Sequence, residues 1–312
     1  MHKFGFVFPG QGSQKLGMLG DLANDSSLIL DTFNEASAVL DIDLWETAQH
    51  DGKNNLDQTH ITQPVLLTAS VAIWRLWQQK TDIRPSILAG HSLGEYSALV
   101  CADVLSLADA VRVVHQRGQF MQAAVPAGVG KMAAIVGLEN YQINEICDEA
   151  EKGEIVSAAN FNSPGQTVIA GDTAAVDRAI ILCKEAGAKR ALPLNVSVPS
   201  HCALMKPAAS ELERTLAEIE FSTPSIAVVQ NVNAELAQSP QDIKQNLIKQ
   251  LYAPVLWVDC VNVISKAGVN KLVECGPGKV LSGLIKRIDS SITSFASDDP
   301  ASLDSAIAEM AS

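Results

Sequence analysis

The sequence predicts an α/β protein: a parallel-sheet domain with a smaller βαββαβ unit inserted into its middle. Three observations predict it. Short apolar runs alternate with segments of helical periodicity over residues 4–123 and again over 207–275. A glycine-flanked serine at 90–94 joins one of those runs directly to a helical segment. Residues 131–194 change rhythm to strand, helix, two strands, helix and strand, the split-βαβ or ferredoxin-like order. With 312 residues, 47% of them hydrophobic, the chain can bury one large core or two linked ones.

Taken in order, Phe4–Phe8 reads as a strand that opens into Pro9-Gly10-Gln11-Gly12-Ser13-Gln14. Leu28–Leu40 and Gln63–Gln79 carry helical periodicity, the latter with Pro64 near its first turn, where a missing N–H is harmless. Ser86–Ala89 follows the breaker Pro85 as a short buried strand, and Tyr96–Ala102 is helical. Leu107–Ala123 is a further helix, closed by Val125-Pro126-Ala127-Gly128. In the insert the expected strands are Lys131–Val136, Ile155–Ala159, Thr167–Ala170 and Arg190–Leu194, with helices Tyr141–Glu151 and Ala174–Glu185. The larger domain resumes with helix Pro207–Glu218, strand Ala227–Asn231, helices Pro240–Leu251 and Val255–Ala267, and strand Lys271–Cys275. The expected division is therefore 1–128 with 202–312 for the large domain and 129–201 for the small one.

A net charge of −12 with no basic stripe argues against nucleic acid as a main partner. The apolar segment within Met1–Pro9 is too short for a secretory leader, so none is expected. No window approaches the ~18 uninterrupted apolar residues of a membrane span; Val65–Trp77 is broken by Thr68, Ser70 and Arg75. The six cysteines show no Cys-x-x-Cys spacing and sit in apolar surroundings, as free thiols do in a reducing cytoplasm, and no metal site is expected. Two glycine-rich loops fail as nucleotide cradles. A dinucleotide fingerprint beginning at Gly10 needs a glycine where Lys15 stands, and Gly276-Pro277-Gly278-Lys279 is followed by Val280 rather than Ser or Thr. The second loop reads better as a strand-to-helix turn. Backbone N–H groups of the first would face Ser92 if its strand lay beside the 86–89 strand in a parallel sheet.

Ala89-Gly90-His91-Ser92-Leu93-Gly94-Glu95 has the strand–turn–helix context of a nucleophile elbow. The glycines let strand and helix approach closely. The turn lifts Ser92 to a helix N-terminus, where free N–H groups can stabilise an oxyanion. The competing reading is an ordinary loop of small residues. A serine nucleophile needs a base, and six histidines are available. His2 is terminal, His50 and His60 lie in polar segments, His91 adjoins the serine and should project elsewhere, and His115 lies on the 107–123 helix. His201 remains, where the small domain returns to the large one; it is either the base or a satisfied structural histidine. Arg117 lies between Val114 and Met121 on the buried face of its helix. A guanidinium there needs a carboxylate partner, either an internal Asp or Glu or that of a substrate.

Phe8-Pro9-Gly10-Gln11-Gly12-Ser13-Gln14, Thr62-Gln63-Pro64, Gly90-His91-Ser92-Leu93-Gly94-Glu95, Arg117, Asn160-Phe161-Asn162-Ser163-Pro164-Gly165-Gln166, Val198-Pro199-Ser200-His201, Gln250-Leu251-Tyr252-Ala253-Pro254 and Gly276-Pro277-Gly278-Lys279 occur in one ordered set. That set resembles the malonyl-CoA:acyl carrier protein transacylases, close to the bacterial enzymes of type II fatty acid synthesis, over essentially the whole chain. The resemblance implies an α/β-hydrolase-like domain with the ferredoxin-like insert. It implies Ser92 as nucleophile, His201 as base and then acid, and the carbonyl of Gln250 in place of a triad aspartate. It further implies an oxyanion hole from the N–H groups of Gln11 and Leu93, Arg117 on the malonyl carboxylate, and Gln63 and Asn162 lining the pocket. The reaction would be ping-pong, with malonyl-CoA and holo-acyl carrier protein as partners and no metal or redox cofactor, in a cytoplasmic monomer. A serine thioesterase and a non-catalytic carrier-binding module are the alternatives, separated by transfer against hydrolysis and by the presence of a covalent adduct. The carrier is itself acidic in this family, so docking calls for a basic patch. Lys189-Arg190 and Lys286-Arg287 are the candidate pairs, either for docking or as solvated surface.

Overall fold

The computed structural model of the chain describes residues 3–53, 55–126, 128–194 and 198–312; Met1, His2 and Ala127, named above, lie outside them. Among the described residues nine strands run β1 Phe4–Phe8, β2 Ile87–Gly90, β3 Gly130–Val136, β4 Val156–Ser163, β5 Gln166–Asp172, β6 Arg190–Pro193, β7 Ala227–Val229, β8 Lys271–Glu274 and β9 Thr293–Ala296. They form two sheets. One is wholly parallel, in the order β7-β2-β1-β8-β9, and the other is antiparallel, in the order β4-β5-β3-β6.

Every residue of β1 is buried, as befits a central parallel strand covered on both faces. Its alternation divides two cores. Phe4, Phe6 and Phe8 face the helix Thr59–Lys80, where Phe6 packs edge-on to Trp74 and Trp77 at ring separations of 5.4 and 4.9 Å. Val7 points the other way, with Ile87, Ala89 and Trp257. Phe8 pairs with Gly90 across the parallel ladder, so the loop after β1 lies beside the turn after β2, the condition set for Gly10–Gly12 above.

Several boundaries differ from expectation for identifiable reasons. The helix expected from Gln63 begins at Thr59, so Pro64 lies inside it rather than in its first turn. The proline leaves the carbonyl of His60 without its intrahelical donor. Nδ1 of His115, on the helix Leu107–Ala124, donates to that carbonyl at 2.7 Å, and the break is repaired from outside. β4 and β5 are longer than their apolar runs because Asn160 and Asn162 continue β4, while Gly165, at φ +67°, makes the hairpin turn. The helix expected from Val255 begins at Trp257, since Val255 exchanges backbone bonds with Ala159 and Phe161 of β4 and ties the two sheets together. β7 ends at Val229, which frees Gln230 and Asn231 from the ladder.

Helices Gly20–Asp25, Leu44–Gln49 and Pro300–Ala311 and the edge strand β9 were absent from the sequence reading. Gly276–Lys279 is a strand-to-helix turn, leading from β8 into the helix Val280–Ile288. The carboxylate of Glu274 accepts from the N–H groups of Leu281 and Ser282 at 2.9 and 2.7 Å. An internal anion therefore fills the place where a phosphate would sit, which is the physical reason this loop is no nucleotide cradle.

Candidate active site

Gly90 closes β2 and Gly94 opens the helix Gly94–Cys101. A Cβ on Gly90 would run into the carbonyl of Gly94, and one on Gly94 into the carbonyl of Phe8. The glycines serve close approach; the left-handed backbone belongs to Ser92 itself, at φ +51°. Asn231, freed from β7, braces this turn. Its Oδ1 accepts from the Ser92 N–H at 2.7 Å and its Nδ2 donates to the Gly90 carbonyl at 2.7 Å.

The Ser92 hydroxyl lies 2.8 Å from Nε2 of His201. His201 also has a left-handed backbone, at φ +63°, and its N–H donates to the carbonyl of Leu251. Its Nδ1 is 2.7 Å from the carbonyl of Gln250. A carbonyl only accepts, so Nδ1 carries the proton and Nε2 presents a lone pair to the serine. Burial and, after it, the Arg117 charge push the His201 pKa down to about 3. The imidazole is neutral at ordinary pH, the form a base requires.

Arg117 is 2% exposed, in agreement with its helical face. Among the described residues no carboxylate forms an ion pair with it. Two amide oxygens hold it: Oε1 of Gln63 takes Nη1 at 2.7 Å and Oε1 of Gln250 takes Nη2 at 3.0 Å. The guanidinium lies 5.5 Å above the Tyr96 ring, and its Nη2 is 3.5 Å from the serine hydroxyl. Among the described residues its Nε has no hydrogen-bond partner.

A cavity of about 370 Å³ joins these groups, lined by Gln11, Ser92, Leu93, Arg117, Asn162 and His201 among others. Neither the Gln11 nor the Leu93 backbone N–H has an acceptor among the described residues. Asn162, expected on the pocket wall, is there, with its Oδ1 2.8 Å from Nε2 of His91. His91 also borders the cavity, but this bond and its contact with Trp257 turn it from the serine. Gln63, also expected on the wall, is instead fully buried behind Arg117, with its Nε2 facing the Met121 sulfur at 3.6 Å. A neutral amide is the partner that fixes a buried guanidinium while leaving its charge available, so Gln63 sits behind the site rather than on it.

Two participants were missed. Glu95 is 1% exposed and accepts from the Asn231 N–H at 3.0 Å and from Nε2 of Gln250 at 2.8 Å. Burial pushes its pKa up to about 7, against the pull of these donors and of Arg117. A signal for it existed: the segment after it is apolar all round, so its helix has no solvent face. Asn231 follows a strand in a polar pair with Gln230, and nothing in its spacing distinguishes it.

Lys189, Arg190, Lys286 and Arg287 are exposed. Gln166 and Arg190 both pair with Val136 in the small sheet, and Arg287 donates to Oε1 of Gln166. Both basic pairs therefore lie toward one end of that sheet. On the helix Val280–Ile288, Arg287 shares the face of Val280 and Leu284, two residues that line the cavity.

Residues 5–287 match the family described as the acyl transferase domain. The chain is similar to the malonyl CoA-acyl carrier protein transacylase of Salmonella typhimurium, 54% identical over 309 residues, 99% of this chain and 100% of the relative. A solved acyl carrier protein S-malonyltransferase of Vibrio cholerae is 59% identical with a TM-score of 0.95, covering 97% of this chain and 99% of its own. A malonyl-transacylase solved in complex with a type II PKS acyl-carrier protein is 54% identical with a TM-score of 0.97, covering 98% and 99%.

Proposed function

Because the chain belongs to the acyl transferase family, among the malonyl CoA-acyl carrier protein transacylases, we propose that it moves a malonyl group from malonyl-CoA to the thiol of holo-acyl carrier protein through a malonyl-Ser92 ester. The observation that carries this reading is one cavity shared by a serine–histidine pair at 2.8 Å and a buried arginine without a carboxylate partner. Ser92 Oγ attacks the thioester carbonyl as Nε2 of His201 takes its proton. The N–H groups of Gln11 and Leu93 receive the developing oxyanion. The C–S bond then breaks, and the imidazolium returns the proton to the departing CoA sulfur. In the second half, His201 takes the proton of the carrier thiol, the sulfur attacks the ester carbonyl, the bond from that carbon to Ser92 Oγ breaks, and the proton returns to Oγ. The Gln250 carbonyl keeps the proton of the resting imidazole on Nδ1 throughout. Arg117 binds the malonyl carboxylate, which supplies the missing counter-charge.

We read the architecture as an α/β-hydrolase-like domain, 1–128 with 202–312, carrying a ferredoxin-like subdomain at 129–201. The element order βαββαβ supports the second part, as the five-stranded parallel sheet supports the first. All the groups invoked come from one chain, so a monomer suffices. Lys189, Arg190, Lys286 and Arg287 are the surface proposed for the carrier, supported by their exposure near the cavity.

Intact-mass analysis tests the covalent step. The protein should gain a malonyl group from malonyl-CoA and lose it on addition of holo-carrier, while Ser92→Ala gains none. A Ser92→Ala protein that still gains the group overturns the assignment, and loss of the group to water without carrier indicates a hydrolase.

A further inference from the structure

Gln250 has two chemically different ends, and the site uses both. Its Nε2 faces three acceptors: Oε2 of Glu95 at 2.8 Å, the Ser92 carbonyl at 3.0 Å and Oδ1 of Asn231 at 3.4 Å. Its Oε1 is thereby turned to Nη2 of Arg117 at 3.0 Å. The reverse orientation would set an NH2 group against the guanidinium and an oxygen against a carboxylate and a carbonyl. Glu95 is the only ionisable member of this acceptor set. Its remaining contacts are also donors, with Nε2 of Gln230 at 3.2 Å on Oε1 and the Asn231 N–H at 3.0 Å on Oε2.

We propose that Glu95 is a positioning residue for acyl-group selection: through the amide of Gln250 it presents Arg117, fixed but not neutralised, to a substrate carboxylate. A carboxylate bonded directly to Arg117 would also hold it, but would occupy its N–H groups and cancel its charge. Placing the carboxyl group one amide away fixes the bridging amide while the guanidinium faces the cavity. On the other side Gln63 also meets Arg117 with an amide oxygen, with the Met121 sulfur rather than a carboxylate beyond its Nε2. Glu95 makes no contact with the serine hydroxyl or the imidazole, so its influence falls on the acyl group that carries a carboxylate.

This inference rests on the malonyl reading of the site, and its test separates the two. The rate of acyl-Ser92 formation is measured by intact mass with malonyl-CoA and with acetyl-CoA, for the unmodified protein and for Glu95→Gln. A glutamine at 95 brings an NH2 that must oppose one of three donors. Reversal of Gln250 relieves that clash and turns its NH2 toward Arg117. The malonyl rate should then fall by about tenfold or more relative to the acetyl rate. Glu95→Asp keeps the charge but stands one methylene short of Gln250, and its preference should fall in between. A merely structural role lowers both rates together, so equal losses, or an unchanged preference in Glu95→Gln, overturn the proposal. If Glu95→Gln does not fold, Glu95→Asp carries the test, and a wild-type preference in it overturns the proposal. An unmodified protein that takes no malonyl group overturns the functional reading itself and this inference with it.

Discussion

Among the described residues two amide oxygens and no carboxylate hold Arg117, so its charge is left for whatever enters the cavity. An acetyl group would leave that charge uncompensated, a loss of roughly 3–5 kcal/mol at a well-buried site. At about 1.4 kcal/mol per tenfold this is a preference of about 10² to 10³ for the malonyl group. Arg117→Ala should lose malonyl transfer while sparing or improving acetyl transfer, measured as paired kcat/KM values; equal losses would mark the arginine as structural. As the proposed base, His201 should set the pH behaviour. With its pKa lowered to about 3, protonation disables the base only as pH falls toward that value. Acylation of Ser92 by acetyl-CoA, which makes no demand on Arg117, should therefore stay level from about pH 8 to pH 5, without the acid limb near 6.5 of an ordinary imidazole. The same shift has a stability consequence. The unfolded chain binds this proton more readily than the folded one, so stability present above pH 6.5 is lost progressively as pH falls through the range down to about 3.

At the scale of elements, the strand–turn–helix at Ser92 depends on two glycines that admit no side chain. Gly94→Ala would drive a methyl into the Phe8 carbonyl and should lower the free energy of unfolding in urea by about 1–3 kcal/mol or more. Gly283, on the exposed side of the helix Val280–Ile288, meets nothing within 4 Å, and Gly283→Ala should raise stability by about 0.5–1 kcal/mol. If both variants shift stability alike, close packing is not what Gly94 serves. Much of this level was legible in the sequence. β1 and the helix around Arg117 carry unbroken apolar periodicity, and Ser92 stands where an apolar run meets a helical one. Pro64 misled because a proline early in a periodic segment reads as a helix start, whereas the carbonyl it orphans is satisfied by His115, a residue remote in sequence. Asn160 and Asn162 hid the end of β4, since periodicity sees only apolar side chains. Arg117 was readable as buried, but how it is held was not, because Gln63 and Gln250 meet it only through contacts that folding brings about, and Asn231 likewise declares itself only through partners remote in sequence.

For the whole molecule, a net charge of −12 makes any basic patch a local exception in a repulsive field. The structure gathers Arg190 and Arg287 toward one end of the small sheet, and Arg287 lies on a helix face continuous with the cavity wall. Reversing Lys286 and Arg287 to glutamate should weaken carrier use and remove much of its salt dependence, while malonylation from malonyl-CoA changes little. Joint loss of both half-reactions would assign the patch to CoA or to the fold, and loss of neither would move the carrier elsewhere. The backbone at Ser92 and His201 bears on the molecule as a whole in another way. Both residues are left-handed, a conformation that costs a residue with a side chain roughly 1–2 kcal/mol. Glycine would relieve each position and end the chemistry at both. Reactivity and stability therefore pull in opposite directions at the same two points of the chain. Selection for robustness alone would favour glycine at both.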